Sequence, residues 1–385
     1  MRYVVGAAWV ALALVGCGSA QGAGNQPGAG AGGGLSVGGS AQSAGSGGNA
    51  GNPAGGATVN GVAGTVGGSG IAGAASSGDD PILPNSIAAG SDGTCAIGRA
   101  GKLECWGKAD PAFAWILPQG TFQAVALESL GCARNTVGEI SCFLVPGTSD
   151  DVTIAPTGSS FASFDVGIST MCALDAAGTP TCNEPSGPKK LAGAPAGVKF
   201  SRIAVGRDFA CGIRRDSRQL ACWGFEGSDG ACSTVPKTGQ LLAPSGEFVE
   251  LASAYAQSCA IRTDQTVACW GAGDASDDPN QMFCNEKINF GQSVAPPGTF
   301  VQISVGTLNS CGVHTDGTVA CWGAGTKPGD CSSDIDTCGQ SLPPAGKFVQ
   351  VAAGYSHACG MKADRTVECW GSKTNGRGTP PADFP

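Results

Sequence analysis

The stretch CGVHTDGTVACWG, residues 311–323, sets two cysteines with nine residues between them and ends on Trp-Gly. The cysteines lie symmetrically about Asp316. Thr315-Asp316-Gly317 reads as a three-residue hairpin turn with Gly317 in the left-handed conformation. In that register Val313 faces Val319 and Cys311 faces Cys321. Opposed antiparallel residues have Cα atoms ~4.5–5.5 Å apart, a separation that a disulfide accepts. The spacing therefore predicts a bridge inside one hairpin. By restricting the unfolded chain, it contributes roughly 3 kcal/mol at most. Val313 and Val319 share the bridge's face and are expected to pack on a neighbouring unit, with Trp322 pointing the other way.

The signature recurs as CAIGRAGKLECWG at 95–107, CAIRTDQTVACWG at 259–271 and CGMKADRTVECWG at 359–371. All told there are seven cysteine pairs: Cys95-Cys105, Cys132-Cys142, Cys172-Cys182, Cys211-Cys222, Cys259-Cys269, Cys311-Cys321 and Cys359-Cys369. A second marker keeps the same phase. Phe122, Phe161, Phe200, Phe248, Phe300 and Phe348 each follow a Pro/Gly-rich turn. The first unit has Pro84 instead, and the missing aromatic appears near the other end as Phe384 in PPADFP. A closed ring explains that arrangement; an open solenoid would need polar caps. Each unit reads as four short strands, so the expected fold is an all-β, seven-bladed β-propeller over residues 81–385.

The chain has 19 cysteines and two histidines. With so few histidines and no close Cys pairs, zinc is a poor account of the thiols, and an exported disulfide framework is a better one. Beyond the hairpin pairs and Cys17, four cysteines remain: Cys232, Cys284, Cys331 and Cys338. The favoured pairing is Cys232-Cys284 between adjacent blades and Cys331-Cys338 within one loop.

Residues 1–16 read as an export signal: Arg2 precedes the apolar run YVVGAAWVALAL, too short to span a bilayer comfortably. LVGCGS, Leu14 to Ser19, resembles the bacterial lipobox. That resemblance implies cleavage before Cys17 and a lipid on Cys17. With Gly18 next, the outer membrane or cell surface is expected rather than the inner membrane. From Gly18 to Gly78 no residue is charged, and Gly, Ala and Ser dominate. Residues 17–80 thus read as a flexible tether with a reach of roughly 40–45 Å. The net charge of −8 excludes nucleic acid as an expected partner.

VQVAAGYSHACGMKADRTVECWGSKTNGRGT, residues 349–379, resembles a repeat of the regulator of chromosome condensation family, whose bacterial variants carry the Cys pair and the CWG ending. The resemblance extends over 81–385 and implies seven blades. Units two and three depart from it: Cys142-Phe143-Leu144 and Cys182-Asn183-Glu184 replace Cys-Trp-Gly. The family's His is present only as His357. Nuclear members act on a small GTPase and touch chromatin, which does not suit an acidic, exported chain. Other bacterial propellers of the superfamily inhibit β-lactamases, so inhibition of an extracellular or periplasmic enzyme is the alternative to general protein or ligand binding.

In a propeller, the loops between strands one and two share a face with those between strands three and four. The first set offers Arg207, Asp208, Phe209, Tyr255, Gln257, Asn309, Tyr355 and His357. The second set is long in units four to six. It carries Glu226, Asp229, Asp274, Asp277 and Asp278, then Asp330, Asp334 and Asp336. These loops suit a basic patch on a partner, or are simply solvated. DASDDPN at 274–280 does not match a calcium hand, and no metal or cofactor is expected. Nor is an enzyme: no nucleophile motif or phased His set appears, which leaves a hydrolase or lyase as a third reading.

Overall fold

The computed structural model describes residues 85–384, except 109–114, 147–154, 159, 169, 184–190, 192, 225–238, 274–281, 284–285, 288, 330 and 332–337. Seven three-stranded antiparallel sheets follow one another along the chain. They span 87–107, 122–144, 161–183, 200–224, 248–271, 300–323 and 350–371, numbered here as blades 1 to 7. Blade 6 shows the plan. Its inner strand is Phe300–Val305, its middle strand Asn309–His314 and its outer strand Val319–Gly323.

The hairpin register is the expected one, with Cys311 opposite Cys321 and Val313 opposite Val319. Gly317 sits at φ 86°, a conformation that excludes most side chains. Asp316 Oδ1 accepts hydrogen bonds from Thr318 N at 2.8 Å and Thr318 Oγ1 at 2.6 Å, which closes the turn. All seven hairpins carry a disulfide with Cα atoms 4.0 Å apart. That is the close approach of a non-hydrogen-bonded pair. Cys331 and Cys338 are also bridged. Cys232 and Cys284 lie outside the described residues, as do Cys17 and the tether.

The fourth strand of each blade is not formed among the described residues. Its place is taken by proline-rich turns, such as Ala295-Pro296-Pro297 and Leu342-Pro343-Pro344. Proline has no N–H for a ladder, so these segments turn instead of pairing. Leu242 N, Val294 N and Leu342 N donate to the carbonyls of Gly239, Gly291 and Gly339, closing short turns of 2.9–3.0 Å.

Between blades the packing is aromatic and aliphatic. Phe200, Phe300 and Phe348 lie over the middle strands of their own blades. A Cβ on Gly312 would meet Phe300 Cδ1 at 2.6 Å, so glycine there makes room for the ring. On the bridge side, Cys311 and Val313 pack against Val351, Ala353 and Trp370 of blade 7. On the other side, Trp322 packs with Cys259 and Ile261 of blade 5. The indoles are also tied by hydrogen bonds. Trp270, Trp322 and Trp370 Nε1 donate to the carbonyls of Gln240, Gln292 and Gln340 at 2.8–3.0 Å.

The ring closes between blades 7 and 1. Ile87, Ala96 and Trp106 share a core with Ala352, Cys359 and Met361. Phe384 packs on Trp106 with ring centroids 5.8 Å apart, supplying the aromatic that the first unit lacks. Arg377 adds a clasp. Its Nη1 donates to Ser91 O at 2.9 Å and its Nη2 to Asp92 Oδ1 at 3.2 Å, while its carbonyl accepts from Thr94 Oγ1 at 3.2 Å.

Candidate functional site

Two regions gather polar chemistry: the face that carries the loops from inner to middle strands, and the channel along the ring axis. On the face, Arg207 and Tyr255 form one unit across the seam of blades 4 and 5. Arg207 N donates to Tyr255 O at 2.8 Å and Arg207 Nη1 to Tyr255 Oη at 3.2 Å. The guanidinium lies 5.4 Å from the ring centroid, within cation–π range. Asp208 approaches Arg207 Nε at 3.6 Å, and both side chains are partly exposed. Tyr255 sits at φ 48°. A bulky aromatic in that region stores strain of order 1–3 kcal/mol, which is characteristic of functional positions. Tyr355 is half-buried on the same face, its N–H donating to Gly90 O at 3.4 Å across the ring closure.

Four of the residues expected on this face are not on it. Phe209, Gln257, Asn309 and His357 are at most 1% exposed. The reason is loop length. Blade 5 turns in two residues, Tyr255 and Ala256, so Gln257 already begins the middle strand. Phe209, Asn309 and His357 are likewise the first residues of their strands. They work between blades. Gln257 Nε2 donates to Gly306 O at 2.8 Å and Asn309 O at 3.2 Å. His357 Nε2 meets Thr94 Oγ1 at 2.8 Å. Burial, with Arg377 nearby, pushes the His357 imidazole down to about 3. Glu226, Asp229, Asp274, Asp277, Asp278, Asp330, Asp334 and Asp336 all fall outside the described residues.

The channel holds a cavity of about 140 Å³ walled by the inner strands of all seven blades. Inner-strand edges have no strand partner toward the axis, and side chains supply the missing bonds. Gln302 Oε1 accepts from Val351 N at 2.9 Å and its Nε2 donates to Val351 O at 3.1 Å. Ser304 Oγ accepts from Ala353 N at 3.0 Å and Gln350 Oε1 from Ser86 N at 3.0 Å. Asp165 Oδ2 accepts from Val205 N at 2.8 Å. Arg202 faces Glu250 at 3.5 Å. Burial pushes the Asp165 carboxyl up to about 7, with a further push from Glu128. Glu128, held by Ser91 Oγ at 3.1 Å, is also raised to about 7 by burial.

Neither Glu128 nor Asp165 was among the expected site residues. A signal was available. Aligned on the strand partner of the first cysteine, Asp165 stands where Ala88, Ala126, Ala204, Ala252, Ser304 and Ala352 stand. Two residues on, Glu128 stands where the other blades have Gly or Ala. Among the described residues, no group of three or more His, Cys, Asp or Glu side chains is placed to hold a metal ion.

Residues 348–378, which include blade 7, match the family model of the Regulator of chromosome condensation (RCC1) repeat. The match covers one unit of the seven. Solved structures share the propeller architecture. The ectodomain of the Physcomitrella patens receptor kinase CR4 superposes with a TM-score of 0.52 at 20% identity, covering 75% of this chain and 74% of that one. The CRINKLY WD40 ectodomain of the Arabidopsis thaliana receptor kinase ACR4 superposes at 0.53 and 17% identity, covering 78% and 98%. At these identities the likeness is one of fold. The chain is a seven-bladed propeller whose disulfides mark an oxidising compartment. No helix among the described residues is long and apolar enough to cross a membrane.

Proposed function

We propose that this protein is an exported, lipid-anchored binding module that holds a protein partner on the face bearing Arg207, Asp208, Tyr255 and Tyr355. The observation that carries the reading is the strained, half-exposed Tyr255 with Arg207 stacked on it. Rigid Tyr and Arg anchors on short loops lose little entropy on binding and are the side chains that most often dominate interfaces. The disulfide-pinned hairpins support export, and the Cys17 motif supports the anchor.

The test is affinity capture from envelope extract with the chain from residue 81 onward, beside Tyr255→Ala and Arg207→Ala. A partner retained by the parent and weakened on the order of tenfold or more by either variant, with unfolding midpoints unchanged, supports the site. Undiminished capture by both variants refutes it. For the anchor, Cys17→Ser is expected to move the full chain from the detergent to the aqueous phase. Unchanged partitioning would refute lipidation.

A further inference from the structure

The seven seams of the ring are not equivalent, and the one between blades 2 and 3 lacks two devices used elsewhere. The first is the aromatic clamp. In blades 1, 4, 5, 6 and 7 the residue after the second cysteine is a buried Trp, and blade 2 has the buried Phe143. Blade 3 has Asn183. The core between blades 2 and 3 accordingly has no indole and sets Ala124, Leu130 and Ile140 against Phe164, Val166 and Met171.

The second device is backbone contact near the axis. At four other seams the inner strand is followed by a glycine pressed on the next blade. A Cβ there would lie 2.4 Å from Glu128 O at Gly90, 2.1 Å from Gly206 O at Gly167, 2.3 Å from Gly354 O at Gly306 and 2.6 Å from Gly90 O at Gly354. The 2–3 seam has an entire Glu128 side chain at this position. Across the seam, on the inner strand of blade 3, Asp165 stands at the register position of Ala126, and both carboxylates line the central cavity.

Among the described residues, no ion pair reaches either carboxylate. From blade 1, Asp92 is engaged by Lys108 at 3.1 Å and Arg377 at 3.2 Å. From blades 4 and 5, the cavity's other charged groups, Arg202 and Glu250, face each other. At the two rims the seam is bridged by Ser129 Oγ to Ile168 O at 2.6 Å and by Phe161 N to Gly138 O at 3.0 Å. Between those bridges both carboxylates line the cavity, Glu128 accepting from Ser91 Oγ of blade 1 at 3.1 Å and Asp165 from Val205 N of blade 4 at 2.8 Å, so each is held by a hydrogen-bond donor and meets no counter-ion among the described residues.

We propose that the seam between blades 2 and 3 is a proton-operated joint. With Glu128 and Asp165 protonated, the inner ends of the two blades stay shut. With both ionised, they part and the central cavity opens to solvent along this seam alone. Each deprotonation releases one proton to water. The charged oxygens then draw solvent, because burying them without a counter-ion is more costly than parting two weakly clamped strands. Ser129 and Ile168 sit on the proposed binding face, so the joint would alter one sector of it.

The test is hydrogen-exchange mass spectrometry of the full chain, unreduced, at pH 5.5 and pH 8, corrected for intrinsic rates. Amides of Phe122–Leu127 and Phe161–Val166 are expected to lose protection on the order of tenfold or more at pH 8. The inner strands of blades 5 to 7 should keep theirs. Glu128→Gln with Asp165→Asn should abolish the difference, and each single substitution should reduce it. Equal protection at the two pH values in the parent chain overturns the joint. So does loosening spread over every seam, or a pH effect that survives the double substitution. The parent measurement decides the matter even where the double variant fails to fold.

Discussion

Replacing Phe384 by alanine tests whether the ring is closed by its last aromatic. Phe384 is half-buried against the 6%-exposed Trp106. A fully buried Phe removes ~150–250 Å² from water, so half burial removes about 100 Å². At about 25 cal/mol per Å² that is about 2.5 kcal/mol, reduced to about 2 by a realistic unfolded chain. For a domain of this size the melting temperature should fall by about 4 °C. The assay is guanidinium unfolding of the oxidised chain, followed by tryptophan fluorescence. Because the loss falls at one seam, exchange protection should drop first in Ile87–Ala89 and Gln350–Ala353. A stability change below about 0.5 kcal/mol would show that the Arg377 clasp closes the ring without the aromatic, and the reasoning from the missing first-unit Phe would fail.

Cys359→Ala with Cys369→Ala should lower stability by about 3 kcal/mol, read from the same unfolding curves; a loss below 1 kcal/mol would deny the bridge its role. Gly360→Ala should cost about 1–3 kcal/mol, because its Cβ would meet Phe348 Cδ1 at 2.5 Å; unchanged stability would mean that the ring can shift. Glu128 is raised in the folded chain, so its contribution is complete below its unfolded value near 4.5 and is lost as pH rises through about 7. Between pH 6 and 8 the parent should lose about 1 kcal/mol that Glu128→Gln retains; parallel pH profiles would refute this. His357 has the opposite sign. Its neutral form is favoured, so stability is complete above about 6.5 and falls as pH drops toward about 3, and His357→Gln should flatten that limb in acid-unfolding titrations.

The blade count, hairpin register and ring closure were legible because they rest on covalent and steric phase. A cysteine pair fixes its own register, and a Phe or Trp recurring with that phase leaves one topology. The fourth strand of each unit was misread: the segments before Pro296-Pro297 and Pro343-Pro344 turn at Gly291 and Gly339 and pair with no strand among the described residues. Gln257, Asn309 and His357 were misplaced by one or two residues of loop length, which suffices to move a side chain from the rim to the interior. Glu128 and Asp165 escaped notice because a lone carboxylate in a degenerate unit looks like drift. Only the register, which sets each beside six small residues, shows that it is an intrusion into a packed ring. The Gly-Gln dipeptides at 239, 291 and 339 also recur in phase, and their role emerged only when each indole was seen donating to the preceding blade.

All seven blade bridges join sulfurs only ten or eleven positions apart along the chain. In blades 1, 2, 3, 5 and 7 each bridge joins nearest neighbours among the cysteines, whereas Cys222 and Cys321 have Cys232 and Cys331 ten positions further on, so there the strand register selects the partner. A polypeptide emerging from a translocation pore can oxidise one module before the following one arrives. In an oxidising compartment those five short loops close before longer-range rivals can compete, which limits scrambled isomers at those blades.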